Sequence, residues 1–582
     1  MFENFSTQSR SEWIKKANQE SGRAGVDSFP HSFRLDELTL ESINTPEDIS
    51  SLVTKTYPLP ESLKNPLISV WIPHCPETDN QTMVELAIKQ GTEDLFFENA
   101  VALVKNVALL IESTPSLTSL ALLCSETDLK ELLPAIEVFG KQGKIKVFVY
   151  KEYFMVNPEN NSTADAEAHF QALDKYPNVR FIGAQGFTFG NAGATVVQEL
   201  AYSLSLIATQ WDQLSEHGAD LAALADKTEV ALGVGGDFYT DLVKFRAMRT
   251  LLHYLMDAYQ LADVNPYRIP VRAITSTVNK TLYDPDANLL RNTTEALAAT
   301  LGGAQCITLR PHDLHYQSKS VFGQRMALNI QHLLRHEAQL HQVYNPTEGS
   351  FFLDRATTQL VEKAWQLFLE VEKDGGVITW MKNGKLHTML QHSRLNKQQA
   401  LTKQKKKLVG VTRYANPAQQ IAQKMVDPLS FKNNLSAPLE QLRLGMDQIT
   451  KSHKPLILLV KPDLPVNAAQ VSRRITYVSD IIISTGAALK LLDETAAAKL
   501  MQAENGASVG AVVLCGDDHW YQEHLPAWLG NHLPTSVVKM VVGKLAFLDH
   551  MKKKGELDVV LSPESNLFEF YAIVESMLPN EA

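Results

Sequence analysis

The chain has 582 residues, too many for a single hydrophobic core, so two or three domains are expected. Hydrophobic residues make up 45% and charged residues 21%, an ordinary globular balance, and a formal net charge of −10 argues against a nucleic-acid partner, whose phosphates need a basic face. No stretch approaches the roughly 18 apolar residues that a membrane helix needs.

Residues 1–40 read as a polar N-terminal arm. Its start, "MFENFSTQSRSEWIKKANQESG", carries Glu3 and Glu12 and no apolar run, so it fits neither a secretion signal nor a transit peptide. Phe2, Phe5, Trp13, Ile14 and Phe29 are nevertheless many large apolar groups for a free tail, and burial on a second chain is expected of them.

From residue 41 short apolar runs alternate with longer helical segments. "PLISVWIP" (66–73), "EDLFFE" (93–98), "LTSLALLC" (117–124) and "KIKVFVY" (144–150) come first. "NVRFIGA" (178–184), "VALGVGG" (230–236), "IPVRAITS" (269–276) and "AQCITLR" (304–310) follow. Eight strand-plus-helix repeats predict an α/β fold with a (β/α)8 TIM barrel over 41–411. Helices over 324–342 and 355–374 close it, and a further helix over 396–407 carries its lysines on a solvated face.

Asn416-Pro417 and Asp427-Pro428 mark a linker over 412–453. "PLILLV" (455–460), "DIIIST" (480–485), "GAVVLC" (510–515), "VVKMVVG" (537–543) and "LDVVLS" (557–562) then predict a doubly wound, flavodoxin-like domain over 454–582. Cys75, Cys124, Cys306 and Cys515 form no paired metal motif, and buried thiols of a reducing cytoplasm are expected. "GVGG" (233–236) is followed by no phosphate-binding pattern and reads as a barrel turn.

The longer motifs say more than the architecture does. "AGATVVQELAYSLS" (192–205), "DFYTDLVKFRAMRTLLHYLM" (237–256), "LLRNTTEALAATLGGAQ" (289–305) and "NPTEGSFFLDRATTQLVEKAWQLFLEVEKDGG" (345–376) resemble the methylmalonyl-CoA mutase family, in the family's order and over nearly the whole chain. The resemblance implies interconversion of (R)-methylmalonyl-CoA and succinyl-CoA by radical rearrangement, with adenosylcobalamin as radical source. It implies a domain resembling the cobalamin-binding domain over 454–582. In some bacterial members a large catalytic subunit pairs with a related small subunit that holds neither ligand.

Position by position, this chain departs from the catalytic pattern. Where the catalytic chain has Gly-Tyr-His before Glu-Ala-Gly-Ala, it has Gly186-Phe187-Thr188 before Asn191-Ala192-Gly193-Ala194, losing a hydroxyl and an imidazole that can hold a thioester carbonyl. The family's carboxylate-binding arginine comes from the first half of the barrel, and here no arginine lies between Arg34 and Arg180. The family's Arg-Gly-Pro-Tyr is absent too, the nearest tyrosine being Tyr57. In the Asp-x-His-x-x-Gly motif that ligates cobalt, Asp463 remains, but Pro465 replaces the histidine and Ala468 the glycine.

Other histidines are weaker candidates. Asp517-Asp518-His519 resembles that motif out of place, and His519 reads as a surface or interface residue. His312 and His315 follow the eighth strand without a partnered carboxylate pattern and read as surface residues, while the catalytic chain's histidine nearby corresponds to Thr308. No catalytic, cofactor-binding or metal-ligating residue is therefore assigned. The resemblance implies a non-catalytic small subunit of a cytoplasmic heterodimer, supporting a large subunit that carries the adenosylcobalamin. The alternatives are a divergent active acyl-CoA mutase, or a free-standing CoA-thioester or cobalamin chaperone or binding protein.

Overall fold

The structure is a computed structural model that describes residues 10–20, 32–35, 37–41, 44–45, 60, 63–73, 77–98, 116–151, 171–316, 320–421, 434–449, 454–503 and 509–578. An antiparallel hairpin, β1 (Ser32–Leu35) and β2 (Leu38–Glu41), precedes the barrel. Leu38 and Leu40 are buried in the core around the barrel, and Glu37 accepts a hydrogen bond from Thr195 at 2.9 Å. This part of the expected arm is thus packed onto the barrel unit. Trp13 and Ile14 lie on the helix Arg10–Glu20, whereas Phe2, Phe5 and Phe29 lie outside the described residues, as do Tyr57 and Cys75.

The barrel strands are β3 (Leu67–Ile72), β4 (Asp94–Glu98), β5 (Ser119–Cys124), β6 (Lys146–Lys151), β7 (Val179–Arg180), β8 (Ile182–Gln185), β9 (Thr228–Val234), β10 (Val271–Thr275) and β11 (Cys306–Leu309). Their order is β7-β6-β5-β4-β3-β11-β10-β9-β8, all parallel. The fifth expected strand is split at Phe181: Val179 pairs with Val147 on one side and Ile182 with Thr228 on the other. The sheet therefore closes through one broken strand, and all eight expected strands are present.

Outward residues such as Ile68, Val70, Leu95 and Phe97 pack under the surrounding helices, which is why these strands read as continuous apolar runs. The helix Val196–Glu216 starts at a capping box in which Thr195 and Gln198 satisfy each other's backbone N–H groups. The two expected closing helices run Val321–His332 and Phe351–Lys373. The first gives way to a π-helical turn at Leu333–Glu337 rather than continuing to 342. The helix expected over 396–407 runs instead from Lys385 to Thr402. Gln404 turns into the left-handed region at φ 56°, and Lys405, Lys406 and Lys407 are exposed beyond it.

The described chain divides into two compact units. One takes in the chain up to Ser276 with Leu289–Leu314 and Ser318–Ser393; the other comprises Thr277–Asn288, His315–Gln317 and everything from Arg394. The second holds a parallel sheet of β12 (Leu456–Lys461), β13 (Ala488–Asp493), β14 (Val509–Leu514), β15 (Val538–Val542) and β16 (Val559–Leu561) in the order β13-β12-β14-β15-β16. That is the flavodoxin-like order, with an apolar core on each face of the sheet.

One expected strand is wrong. Residues 480–485 end the helix Ala468–Thr485, where Val471, Val478, Ile481 and Ile482 are buried at helical spacing and Gly486 caps the helix at φ 79°. The true second strand, Ala488–Asp493, lies at the sheet edge and is largely exposed, so it lacks the apolar run that marks a buried strand.

Candidate functional site

Strand alternation sends Ser69 and Trp71, Asp94 and Phe96, Ser119 and Ala121, Phe148 and Tyr150, Glu229 and Ala231, Arg272 and Ile274, and Cys306 and Thr308 toward the barrel axis. They form two kinds of layer. The upper one is an apolar cluster of Trp71, Phe96, Ala121, Leu123, Phe148, Tyr150, Phe187, Ala231 and Ile274, none more than 4% exposed. Trp71 stacks on Phe96 with ring centres 4.6 Å apart, and Phe187 meets both edge-on at 6.2 and 6.0 Å. Gly183 lets the Tyr150 ring in, because a Cβ there would lie 2.6 Å from it.

The lower layer is ionic. Arg272, fully buried, grips Asp94 through both terminal nitrogens at 2.6 and 3.3 Å, and its Nε lies 3.2 Å from Glu229. Ser69 donates to Asp94 at 2.5 Å, Ser119 also donates to it, and Thr308 accepts from Arg272 at 3.1 Å. Burial raises the Asp94 carboxyl, but Arg272 and the two hydroxyls outweigh it and hold the group below the usual carboxylate range. Burial dominates at Glu229, which is pushed up. Every charge here faces another protein group, so this layer binds the strands together.

Phe187 thus sits where the resemblance expects a tyrosine hydroxyl, as one wall of the aromatic plug. Thr188 beside it donates to the Gln185 carbonyl at 2.7 Å, and Thr308 lies in the ionic layer. The "GVGG" segment ends β9 and turns into the helix Phe238–Ala258. Glu199 accepts from the Gly233 N–H at 2.6 Å and Asp241 from Gly235 at 2.9 Å, and both carboxylates clamp the buried Lys244 at 3.1 and 3.0 Å. Sequence reasoning missed this network and the ionic layer. The available signal was a charge at an inward position of an apolar strand, as in "IPVRAITS" and "EDLFFE".

His312 and His315 are not surface residues. His312 is 4% exposed, edge-on to Phe322 at 5.7 Å, and His315 is 1% exposed with its Nε2 3.0 Å from the Thr277 carbonyl oxygen. Cys124, Cys306 and Cys515 are buried free thiols.

In the second unit, the loop after β12 carries Asp463, which accepts from Thr495, and Asn467, whose N–H donates to Asp517 at 2.8 Å. Between them Leu464 is 90% and Val466 75% exposed. The donor set does not fit cobalt ligation, because a proline ring nitrogen in a peptide has no free lone pair and the loop holds no imidazole. His519 lies on the surface, half-exposed and 3.3 Å from Glu523. No helix among the described residues is long and apolar enough to cross a membrane, and no cluster of three metal-ligating side chains occurs among them.

Comparison with known proteins agrees with the barrel and its motifs. The family model described as methylmalonyl-CoA mutase matches residues 138–459. A methylmalonyl-CoA mutase small subunit from Porphyromonas gingivalis is 25% identical, with 98% of this chain and 97% of that one aligned. A methylmalonyl-CoA mutase from Cereibacter sphaeroides is 27% identical over 52% of this chain and 43% of its own length. A small subunit from Streptomyces virginiae is 25% identical over 61% and 58%. With more than half of its length matched by the family model, the chain belongs to the methylmalonyl-CoA mutase family.

Proposed function

We propose that this chain is the non-catalytic small subunit of a heteromeric methylmalonyl-CoA mutase, the enzyme that interconverts (R)-methylmalonyl-CoA and succinyl-CoA. The observation that carries this reading is Phe187. It stands where a catalytic chain of the family has a tyrosine, and it is 2% exposed against Trp71 and Phe96 on the barrel axis. A phenyl ring neither donates a hydrogen bond to a thioester carbonyl nor exchanges a proton. The axis that an acyl-CoA would have to enter is occupied by aromatic side chains.

The loop with Pro465 supports the same reading for the cofactor: adenosylcobalamin belongs to the partner subunit, and no residue of this chain ligates cobalt. Names of relatives point the same way, since two are small subunits and a 2-hydroxyisobutanoyl-CoA mutase from Aquincola tertiaricarbonis is a large one. What remains for this chain is support: a folded surface that holds and stabilises the catalytic subunit. The test is an assay of purified chains with adenosylcobalamin and methylmalonyl-CoA. The chain alone should give no turnover, and adding the large subunit should give turnover together with a stable complex. Turnover by this chain alone would overturn the proposal.

A further inference from the structure

Three helical walls of the second unit enclose a cleft. The last turns of the helix Lys385–Thr402 belong to that unit and abut the start of the final helix, Phe568–Ser576, where the Leu567 N–H donates to the Thr402 carbonyl at 3.0 Å. The third wall is the helix Ala437–Gln448. A Cβ at Gly445 would lie 3.4 Å from Leu578, so this helix and the final one meet near their C-terminal ends. Their first halves line the cleft together with Gln398, Leu401 and Thr402, and its volume is about 650 Å³, the open mouth included. That size suits a small molecule.

The lining is mainly apolar and carries one charge. Leu401, Leu439 and Leu442 are its buried part, Tyr571 is half-buried, and Phe568 is 51% exposed at the mouth. The Ser436 hydroxyl is spent on Asn434 and Glu440 at 2.9 and 2.6 Å. The exposed Glu575 carboxylate and the Gln398 amide also face the cleft, and neither makes a side-chain hydrogen bond or ion pair among the described residues. No lysine, arginine or histidine lines the cleft among those residues. Two aromatic rings, one carboxylate and no cation form a wall that attracts positive charge.

We propose that this cleft binds a small primary amine with an apolar body, in its ammonium form. The body lies on Leu401, Leu439 and Leu442, and the ammonium group is drawn to Glu575 and to the ring faces of Phe568 and Tyr571. Carboxylates, phosphates and CoA thioesters are disfavoured, because Glu575 repels them and no cation of the lining offsets that repulsion. The proposal goes beyond the supporting role and does not depend on it, since a supporting subunit and a divergent enzyme would carry the same cleft.

The experiment titrates the full-length chain with hexylamine, hexanol, hexanoate and butylamine at neutral pH and constant ionic strength, read by ligand-observed NMR and calorimetry. Saturable binding of hexylamine is expected with a Kd of about 1–10 mM, the range suited to so small a ligand. Hexanol should bind about threefold and hexanoate about tenfold more weakly. Butylamine, with a shorter apolar body, should lose about tenfold. Glu575→Gln, a change at an exposed position, should bring hexylamine to the affinity of hexanol, and Ala572→Trp should block the mouth and abolish binding. Circular dichroism establishes that each variant is folded. If Ala572→Trp does not fold, Glu575→Gln and the wild-type ligand ranking still decide. Absence of saturation by hexylamine overturns the site, as does hexanoate binding as tightly as the amine or unchanged hexylamine affinity in folded Glu575→Gln. Loss of hexylamine binding on adding the large subunit would make the cleft part of a protein interface and overturn it equally.

Discussion

Phe187 illustrates what a single side chain can report. Its ring is buried among Trp71, Phe96 and the Arg310 guanidinium, so Phe187→Ala leaves a cavity in the barrel axis. A loss of about 3–5 kcal/mol is expected in urea unfolding of the barrel. Phe187→Tyr, which restores the hydroxyl, should give no mutase turnover, because the ring position and its stacked neighbours remain. Glu93 offers a second check, through pH. Burial alone raises its carboxyl, but the bidentate contact with Arg335 at 2.8 and 3.0 Å and the Ile68 N–H hold it below the ordinary glutamate value. A carboxylate depressed in the native state adds stability above its unfolded pKa of about 4.3, and loses it as the pH falls through the lower native value. Thermal melts across that acid range should therefore fall more steeply for the wild type than for Glu93→Gln.

At the scale of elements, β4, β9 and β10 are joined through the Arg272 layer. Arg272→Met leaves two buried carboxylates uncompensated, and a cost of about 3–5 kcal/mol is expected. Removing all three charges together, with Asp94→Asn and Glu229→Gln added, should cost less than the single change, which a comparison of denaturation midpoints will reveal. The loop after β12 makes a chemical prediction instead. Titrating the isolated chain with adenosylcobalamin should leave the cofactor's visible spectrum unchanged, since Pro465 offers cobalt no lone pair; a base-off shift at micromolar cofactor would sink the idea.

At the scale of the whole molecule, the supporting role makes the N-terminal segment worth cutting. Trp13 is 41% exposed on the helix Arg10–Glu20. On the proposed reading the large apolar groups of the segment bury against the catalytic subunit. Deleting residues 1–30 keeps the β1–β2 hairpin, whose Leu38 and Leu40 pack in the core around the barrel, so the barrel should still fold. Co-purification with the large subunit should fall, and mutase activity of the mixture with it. Assembly with unchanged affinity would place the interface elsewhere.

The eight barrel strands were legible because a parallel strand covered on both faces is apolar at nearly every position, as Ser119–Cys124 is. The edge strand Ala488–Asp493 was not, for the converse reason: its side chains are half in solvent and carry no run. Ile481 and Ile482 misled because a helix buried on one face can end in consecutive apolar residues. At the site, residue types were readable one by one: a phenylalanine where a hydroxyl was needed, a proline where an imidazole was needed. Their neighbours were not readable. Arg272 meets Asp94 across 178 residues of chain and Thr308 meets Ser69 across 239, and only closure of the barrel brings such pairs together. The same closure sets Arg310 against the Trp71 ring, and His312 and His315 are buried where their sequence context suggested solvent. Local chemistry is written along the chain, whereas pairing and burial depend on which strands come to face one another.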